Sequence, residues 1–240
     1  MTIIIFLSAF YGVFFVRVQL IRFLMSASML TTGSNKLGIV IYDLLFFPGI
    51  LIHELAHFFA ANFLGVRTGS IEIFPKEIHG EVKLGSVQVG RSDPLRGALI
   101  GTSPLVIGTM LLVVLLKLRF TFLFTDSLTA AVAGLSKGIH WPDALALYLL
   151  FAVSNTMVLS RSDRKELVPA AVFVLSLSII AWISKSMVLL EKLASVMGAV
   201  AGALAITFSA VFALNLILLL PLIAVVKILE RVFRRTITMK

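Results

Sequence analysis

The chain has 240 residues, of which 59% are hydrophobic and 14% charged, and its mean hydropathy is +1.06. These values exclude an ordinary soluble domain and indicate a polytopic membrane protein. The absence of cysteine excludes disulfides and cysteine-ligated metal sites. The formal net charge of +9 comes from basic residues between apolar segments, a distribution that favours contact with the lipid bilayer over nucleic-acid binding.

Six apolar segments reach the roughly 20 residues that a transmembrane helix needs. The sequence therefore predicts an α-helical polytopic membrane protein with about six transmembrane helices in a single membrane domain, 1–240. The predicted spans are residues 3–24, 38–65, 95–116, 143–160, 167–190 and 195–229. The first span carries no basic n-region, so we expect it to remain uncleaved.

The second span contains His53-Glu54-Leu55-Ala56-His57. On a helix, residues at i and i+4 share a face, so His53 and His57 can bind one Zn²⁺ ion. Glu54 can then accept a proton from a zinc-bound water. Ionisable groups are costly in lipid, and a metal ion compensates for three of them within five positions. The alternative is a pair of histidines satisfied by neighbouring helices. Pro48-Gly49 predicts a kink or break just before this turn.

Residues 66–92 differ from the rest because apolar and polar residues alternate there, with glycines between the runs. This period predicts a small membrane-associated β-hairpin or sheet between the second and third spans. Two interpretations remain open at this point. The segment is either a plain extramembrane hairpin or a sheet edge beside the HELAH turn that binds an extended peptide.

A catalytic zinc site usually has three protein ligands. If the spans alternate in direction, the end of the fourth span lies on the same side as the end of the HELAH helix. Asp163 lies there and is the acidic residue best placed to be the third ligand. Glu166 is its main competitor, and a solvated carboxylate paired with a nearby arginine is the plain alternative for Asp163. Less well placed are Asp43, Asp126, Asp143, His79 and His140.

The distribution of lysine and arginine orients the chain. With six spans and both termini cytoplasmic, the segments that lie inside hold most of the basic residues. We therefore expect both termini in the cytoplasm. No transit-peptide signature is present, so a prokaryotic plasma membrane is the expected location.

These residues resemble the site-2 protease family of intramembrane zinc metalloproteases. Members of that family have HExxH in one span and, two spans later, an Asn-x-x-Pro-x-x-x-x-Asp-Gly motif whose Asp is the third zinc ligand. Asn155 and Asp163 keep the eight-residue separation of this motif, whereas Val158 and Arg164 replace its Pro and Gly. Gly101-Thr102-Ser103-Pro104-Leu105 looks like a divergent version of a Gly-Pro loop that the family places in the intervening span.

The resemblance covers about residues 38–165, and within this core residues 66–92 form the hairpin insertion. Residues 167–240, which follow the core, are predicted to form the C-terminal helices. It implies a zinc metalloprotease that hydrolyses a peptide bond in or near the transmembrane segment of a membrane-protein substrate. His53, His57 and Asp163 would hold the metal, and Glu54 would be the catalytic base. Asn155 would donate a hydrogen bond to the developing oxyanion or orient the substrate.

Two other functions remain open. The first is a catalytically inactive, protease-like membrane scaffold that binds partner helices. The second is a metal transporter, in which intramembrane His and Asp are transit ligands. The last two spans offer few polar residues besides Asn215, which counts against transport.

Overall fold

The structure is a computed structural model that describes residues 1–72, 76–78, 81–83, 85–125, 127–136, 138–157, 172, 176, 179 and 187–235. The helices are α1 (Thr2–Thr32), α2 (Lys36–Phe63), α3 (Pro94–Arg119), α4 (Leu128–Ser136), α5 (Trp141–Thr156) and α6 (Met187–Phe233). A short 3₁₀ helix, Thr121–Phe124, follows α3. The strands, all between α2 and α3, are β1 (Thr68–Glu72), β2 (Lys76–Ile78), β3 (Glu81–Lys83) and β4 (Ser86–Val89).

Within the described part of the chain, four helices are long and apolar enough to cross a membrane, which indicates a membrane-embedded protein. They are α1, α2, α3 and the Gly198–Phe233 part of α6. These correspond to the first, second, third and sixth predicted spans. The fourth predicted span coincides with α5, which has 16 residues. Most of the fifth, 167–190, falls outside the described residues, so the count of six spans stays a prediction.

The first and last helices pack side by side in the same direction. The ring of Phe208 on α6 contacts Phe6 and Phe10 of α1, each with centroids 5.4 Å apart. One turn further along both helices, Gly12 lies against the Phe212 ring. Because the contacting residue numbers rise together, α1 and α6 are parallel.

The other helices alternate in direction. The Gly38 amide near the start of α2 donates to the Ser28 hydroxyl near the end of α1, at 2.8 Å. Arg119, the last residue of α3, forms a 2.7 Å ion pair with Asp143 at the start of α5. His57 near the end of α2 lies beside Ile100 near the start of α3. Because α3 is therefore antiparallel to both α2 and α5, those two helices run the same way. We call the bundle end that holds Phe63 the histidine end.

These directions place Met1 at the histidine end and Phe233 at the opposite end. That differs from the predicted placement of both termini on one face, which requires α1 and α6 to be antiparallel. The aromatic contacts described above fix the direction of α6. A count of lysine and arginine residues contains no information about such contacts, because an apolar span of leucine and valine has the same composition in either direction.

The predicted β segment is confirmed. β1 and β4 pair antiparallel, with Ile71 opposite Val87, Glu72 opposite Ser86 and an irregularity between Thr68 and Ile71. β2 and β3 form a second antiparallel pair. The two ladders lie one inside the other along the chain, since β2 and β3 fall between β1 and β4.

Within the described residues, the helices bury three apolar clusters at their contacts. The first joins α1, α3, α5 and α6, the second joins α1, α2, α5 and α6, and the smallest joins α2 and α3. Large apolar side chains such as Leu44, Leu118 and Ile217 remain exposed on the outside of the bundle. In a bilayer such side chains face lipid at no cost in hydration.

Candidate metal centre

The HELAH turn lies within a continuous helix. α2 passes through Pro48 without interruption, so of the predicted kink or break the break does not occur, and the kink stays a prediction. Gly49 lets α5 approach closely, because a methyl group there would overlap the Thr156 hydroxyl and the Ala152 carbonyl. The Pro-Gly pair therefore marks a tight helix crossing one turn before His53, about 6 Å along the axis.

The two histidines project from adjacent turns of α2. Their ring centroids are 5.0 Å apart and the ring planes are inclined by 79°. Nδ1 of His57 lies 2.9 Å from the main-chain oxygen of Ile100 on α3. A carbonyl oxygen only accepts hydrogen bonds, so Nδ1 donates, and in the neutral ring Nε2 then keeps its lone pair. A ring N–H held by a carbonyl is the usual outer contact of a metal-binding histidine.

Glu54 is buried under the segment that leads into β4. Its exposed fraction is 8%. The backbone of Gly85 lies so close that a Cβ atom there would be 3.0 Å from Oε1 of Glu54 and 3.2 Å from Cγ2 of Ile50. The β segment therefore lies directly beside the HELAH turn, where the second interpretation of residues 66–92 requires it.

Asn155 is fully buried in the last turn of α5. Its Nδ2 donates to the Phe151 carbonyl at 2.8 Å and to Oδ1 of Asn215 on α6 at 2.5 Å. Asn215 is also fully buried, and its Nδ2 donates to the Val211 carbonyl at 3.0 Å and to the Ser154 hydroxyl at 3.3 Å. No role for Asn215 was predicted from the sequence, although a carboxamide within an apolar span indicates a functional or structural role.

Both amide hydrogens of Asn155 are therefore engaged. Its Oδ1 atom is buried and has no hydrogen-bond partner within the described part of the chain. An oxygen accepts and does not donate, so this geometry favours an orienting role over donation to an oxyanion.

The third predicted ligand, Asp163, lies outside the described residues, as do Glu166, His79 and Asp126. Within the residues that are described, no three His, Asp or Glu side chains lie close enough together to hold a metal ion. Asp143 and His140 lie at the opposite end of the bundle, at the start of α5. The two HELAH histidines, with one ring oriented by a carbonyl, fit two of the three ligands of a zinc site.

Comparisons with protein-family models, with curated protein sequences and with solved structures yield no match for this chain.

Proposed function

We propose that this chain is an intramembrane zinc metalloprotease, a divergent member of the site-2 protease family. Its substrate would be a membrane protein, cleaved in or near a transmembrane segment. The observation that carries the proposal is the hydrogen bond between Nδ1 of His57 and the Ile100 carbonyl. It leaves Nε2 available on the same helix face as His53, with Glu54 buried next to both.

Asp163 is the proposed third ligand. α5 runs parallel to α2, and its last turn packs against Gly49, one turn before His53. Met157, the residue that follows α5, therefore lies at the same height in the bundle as the HELAH turn. Asp163 follows six residues later, and an extended chain of that length reaches roughly 20 Å. The proposed zinc count is one per chain.

Glu54 has the central chemical role. Zinc, when bound, would supply a Lewis acid that lowers the pKa of water and polarises the scissile carbonyl. Glu54 takes the proton from the attacking water and passes it to the leaving amine. Its burial beneath Gly85 limits competing solvent.

The β4 strand would hold the substrate. In the described residues β4 pairs with β1 along one edge. Its other edge has no strand partner among the described residues, and Gly85, just before the strand, lies beside Glu54. A transmembrane helix must unwind before cleavage, and backbone bonds to β4 would replace those it loses.

The decisive experiment measures zinc by mass spectrometry in detergent-purified wild type, His53→Ala, Asp163→Ala and Glu54→Gln. We expect one zinc in the wild type and Glu54→Gln, and a large loss in the other two. Fluorescent casein, which is already unfolded, is the cleavage probe. A wild type that binds no added zinc, or that binds zinc and does not hydrolyse casein, contradicts the proposal and favours the inactive scaffold.

We further propose a multi-pass location in a prokaryotic plasma membrane, with the histidine end in the cytoplasm. Arg67, Arg91 and Arg96 lie at that end, whereas Arg231, Arg234 and Arg235 lie at the opposite end, so the positive-inside rule alone does not orient the chain and a labelling experiment decides it. Because the chain has no cysteine, single-cysteine variants report sidedness directly. Ser92→Cys should react with an impermeant maleimide only after the cells are opened, and Arg235→Cys in intact cells. Labelling of both from one side would contradict the helix directions.

A further inference from the structure

We propose that Asn215 is a positioning residue for the metal centre, acting through Asn155 and the last turn of α5. This inference rests on the proposed function. It adds a residue on α6 to a site otherwise formed by α2, β4 and the segment after α5.

The orientation of both carboxamides follows from their main-chain partners. Phe151 and Val211 each offer a carbonyl oxygen to the side chain four residues later. Since a carbonyl cannot donate, the amide nitrogen and not the oxygen must face it in both cases. Oδ1 of Asn215 then faces Nδ2 of Asn155, and the contact between them is a real donor–acceptor pair.

This pair connects α5 and α6, which also pack apolar side chains against each other. Ser154 adds a second connection by accepting a hydrogen bond from Asn215. Both carboxamides are fully buried, so rotation of either amide is costly because a buried polar group would lose its partner. The last turn of α5 is thus fixed in rotation and height against α6.

The fixed turn is the one from which the chain departs towards Asp163. Thr156, next to Asn155, packs against Gly49 on the HELAH helix. A rotation of α5 would therefore move the start of the Asp163 segment relative to His53 and His57. Groups hydrogen-bonded directly to a metal ligand typically change metal affinity by about 10–100-fold when removed, and Asn215 acts one connection further away, so we expect an effect at the lower end of that range.

Thr207 provides a matched control on the same helix. It is as fully buried as Asn215, two turns away, and its Oγ1 has no hydrogen-bond partner within the described residues. Thr207→Val therefore removes a buried polar group from α6 without breaking a connection to α5.

The hydrogen bond itself can be observed without zinc or activity. The sequence contains four asparagines, and Asn35 and Asn62 are exposed whereas the other two are buried. In protein labelled with ¹⁵N-asparagine, two side-chain amides should exchange slowly with D₂O and two rapidly. Asn215→Leu should shift the Asn155 resonances and speed their exchange, whereas Thr207→Val should leave them unchanged.

The positioning role is tested by zinc affinity in a competition titration with a chelator. We expect Asn215→Leu to weaken binding by about tenfold or more. Asn215→Asp, protonated in the apolar interior, keeps an acceptor for Asn155, so its zinc affinity should stay within about threefold of the wild-type value. The zinc affinity of Thr207→Val should equal that of the wild type. If Asn215→Leu is not monodisperse, Asn215→Ala replaces it.

Wild-type zinc affinity in the Asn215→Leu protein would overturn the inference, as would an equal loss in Thr207→Val. A wild type that binds no zinc would instead count against the proposed function. The two failures are therefore distinguishable in one set of titrations.

Discussion

Two regions of the bundle bury ionisable residues, and they differ in how those residues are held. At the HELAH turn, His57 bonds to the Ile100 carbonyl and Glu54 lies against Gly85. Nearer the opposite end, Asp43 on the same helix is equally buried, and Arg17 lies half-buried within α1. Oδ1 of Asp43 and Nε of Arg17 have no hydrogen-bond partner among the described residues.

Burial alone therefore does not identify a functional group in a membrane protein. The HELAH turn combines a ligand-compatible spacing with neighbours that orient the side chains. Among the described residues, Oδ1 of the buried Asp43 and Nε of the half-buried Arg17 lack such neighbours. If this difference is functional, removing Glu54 and removing Asp43 should have very different consequences.

The largest expected effect comes from Glu54→Gln, with Asp43→Asn as its control on the same helix. Loss of the general base should lower kcat for casein by about 10²–10⁴-fold and leave zinc bound. Asp43→Asn should keep activity within about twofold. Equal losses in the two variants would show that both carboxylates act in the reaction, and the contrast between the regions would fail.

The next largest effect is expected at Gly85, whose backbone lies against Glu54. Gly85→Ala would place a methyl group 3.0 Å from Oε1 of Glu54. Either the carboxylate or the strand must move, and a misplaced catalytic group should lower kcat by roughly 10–100-fold. Gly90→Ala is equally crowded, at 3.1 Å from the Arg67 carbonyl, but is remote from Glu54. Similar kcat values for the two alanine variants would show that the position of β4 does not matter to Glu54.

A smaller effect is expected at Arg17. Replacing a buried donor that lacks a partner by an apolar side chain of similar length removes an unmet hydrogen bond. Arg17→Met should therefore raise the thermal unfolding midpoint in detergent by a few degrees or leave it unchanged. Activity should be unaffected. A loss of casein hydrolysis with zinc still bound would give Arg17 a function that its described contacts do not suggest.

The same comparison explains what could be predicted from the sequence. The HELAH helix and the β segment were predictable because spacing and period are local properties of the chain. The pairing of Asn155 with Asn215 joins residues 60 positions apart and has no local signature. The direction of α6 likewise depends on which faces of two apolar helices meet. The position of Asp163 relative to the histidines is of this second kind, and it stays a prediction.

The smallest expected effect is a pH dependence at the start of α3, the helix that supplies the Ile100 carbonyl to His57. Asp93 caps this helix by accepting from the amides of Leu95 and Arg96 at 3.1 and 3.0 Å. The Arg96 amide, assisted by the charge of its guanidinium group, lowers the pKa of Asp93 below its ordinary value.

A lowered pKa means that the ionised form is favoured by folding. Its stabilising contribution is complete above the unfolded-state pKa of about 3.9 and is lost as the pH falls through the lower folded-state value. Asp93→Asn keeps a capping oxygen but no longer titrates. In acid, the unfolding midpoint of the wild type should therefore decline more steeply than that of the variant. Parallel curves below pH 5 would show that the Asp93 cap makes no ionic contribution to the helix that orients His57.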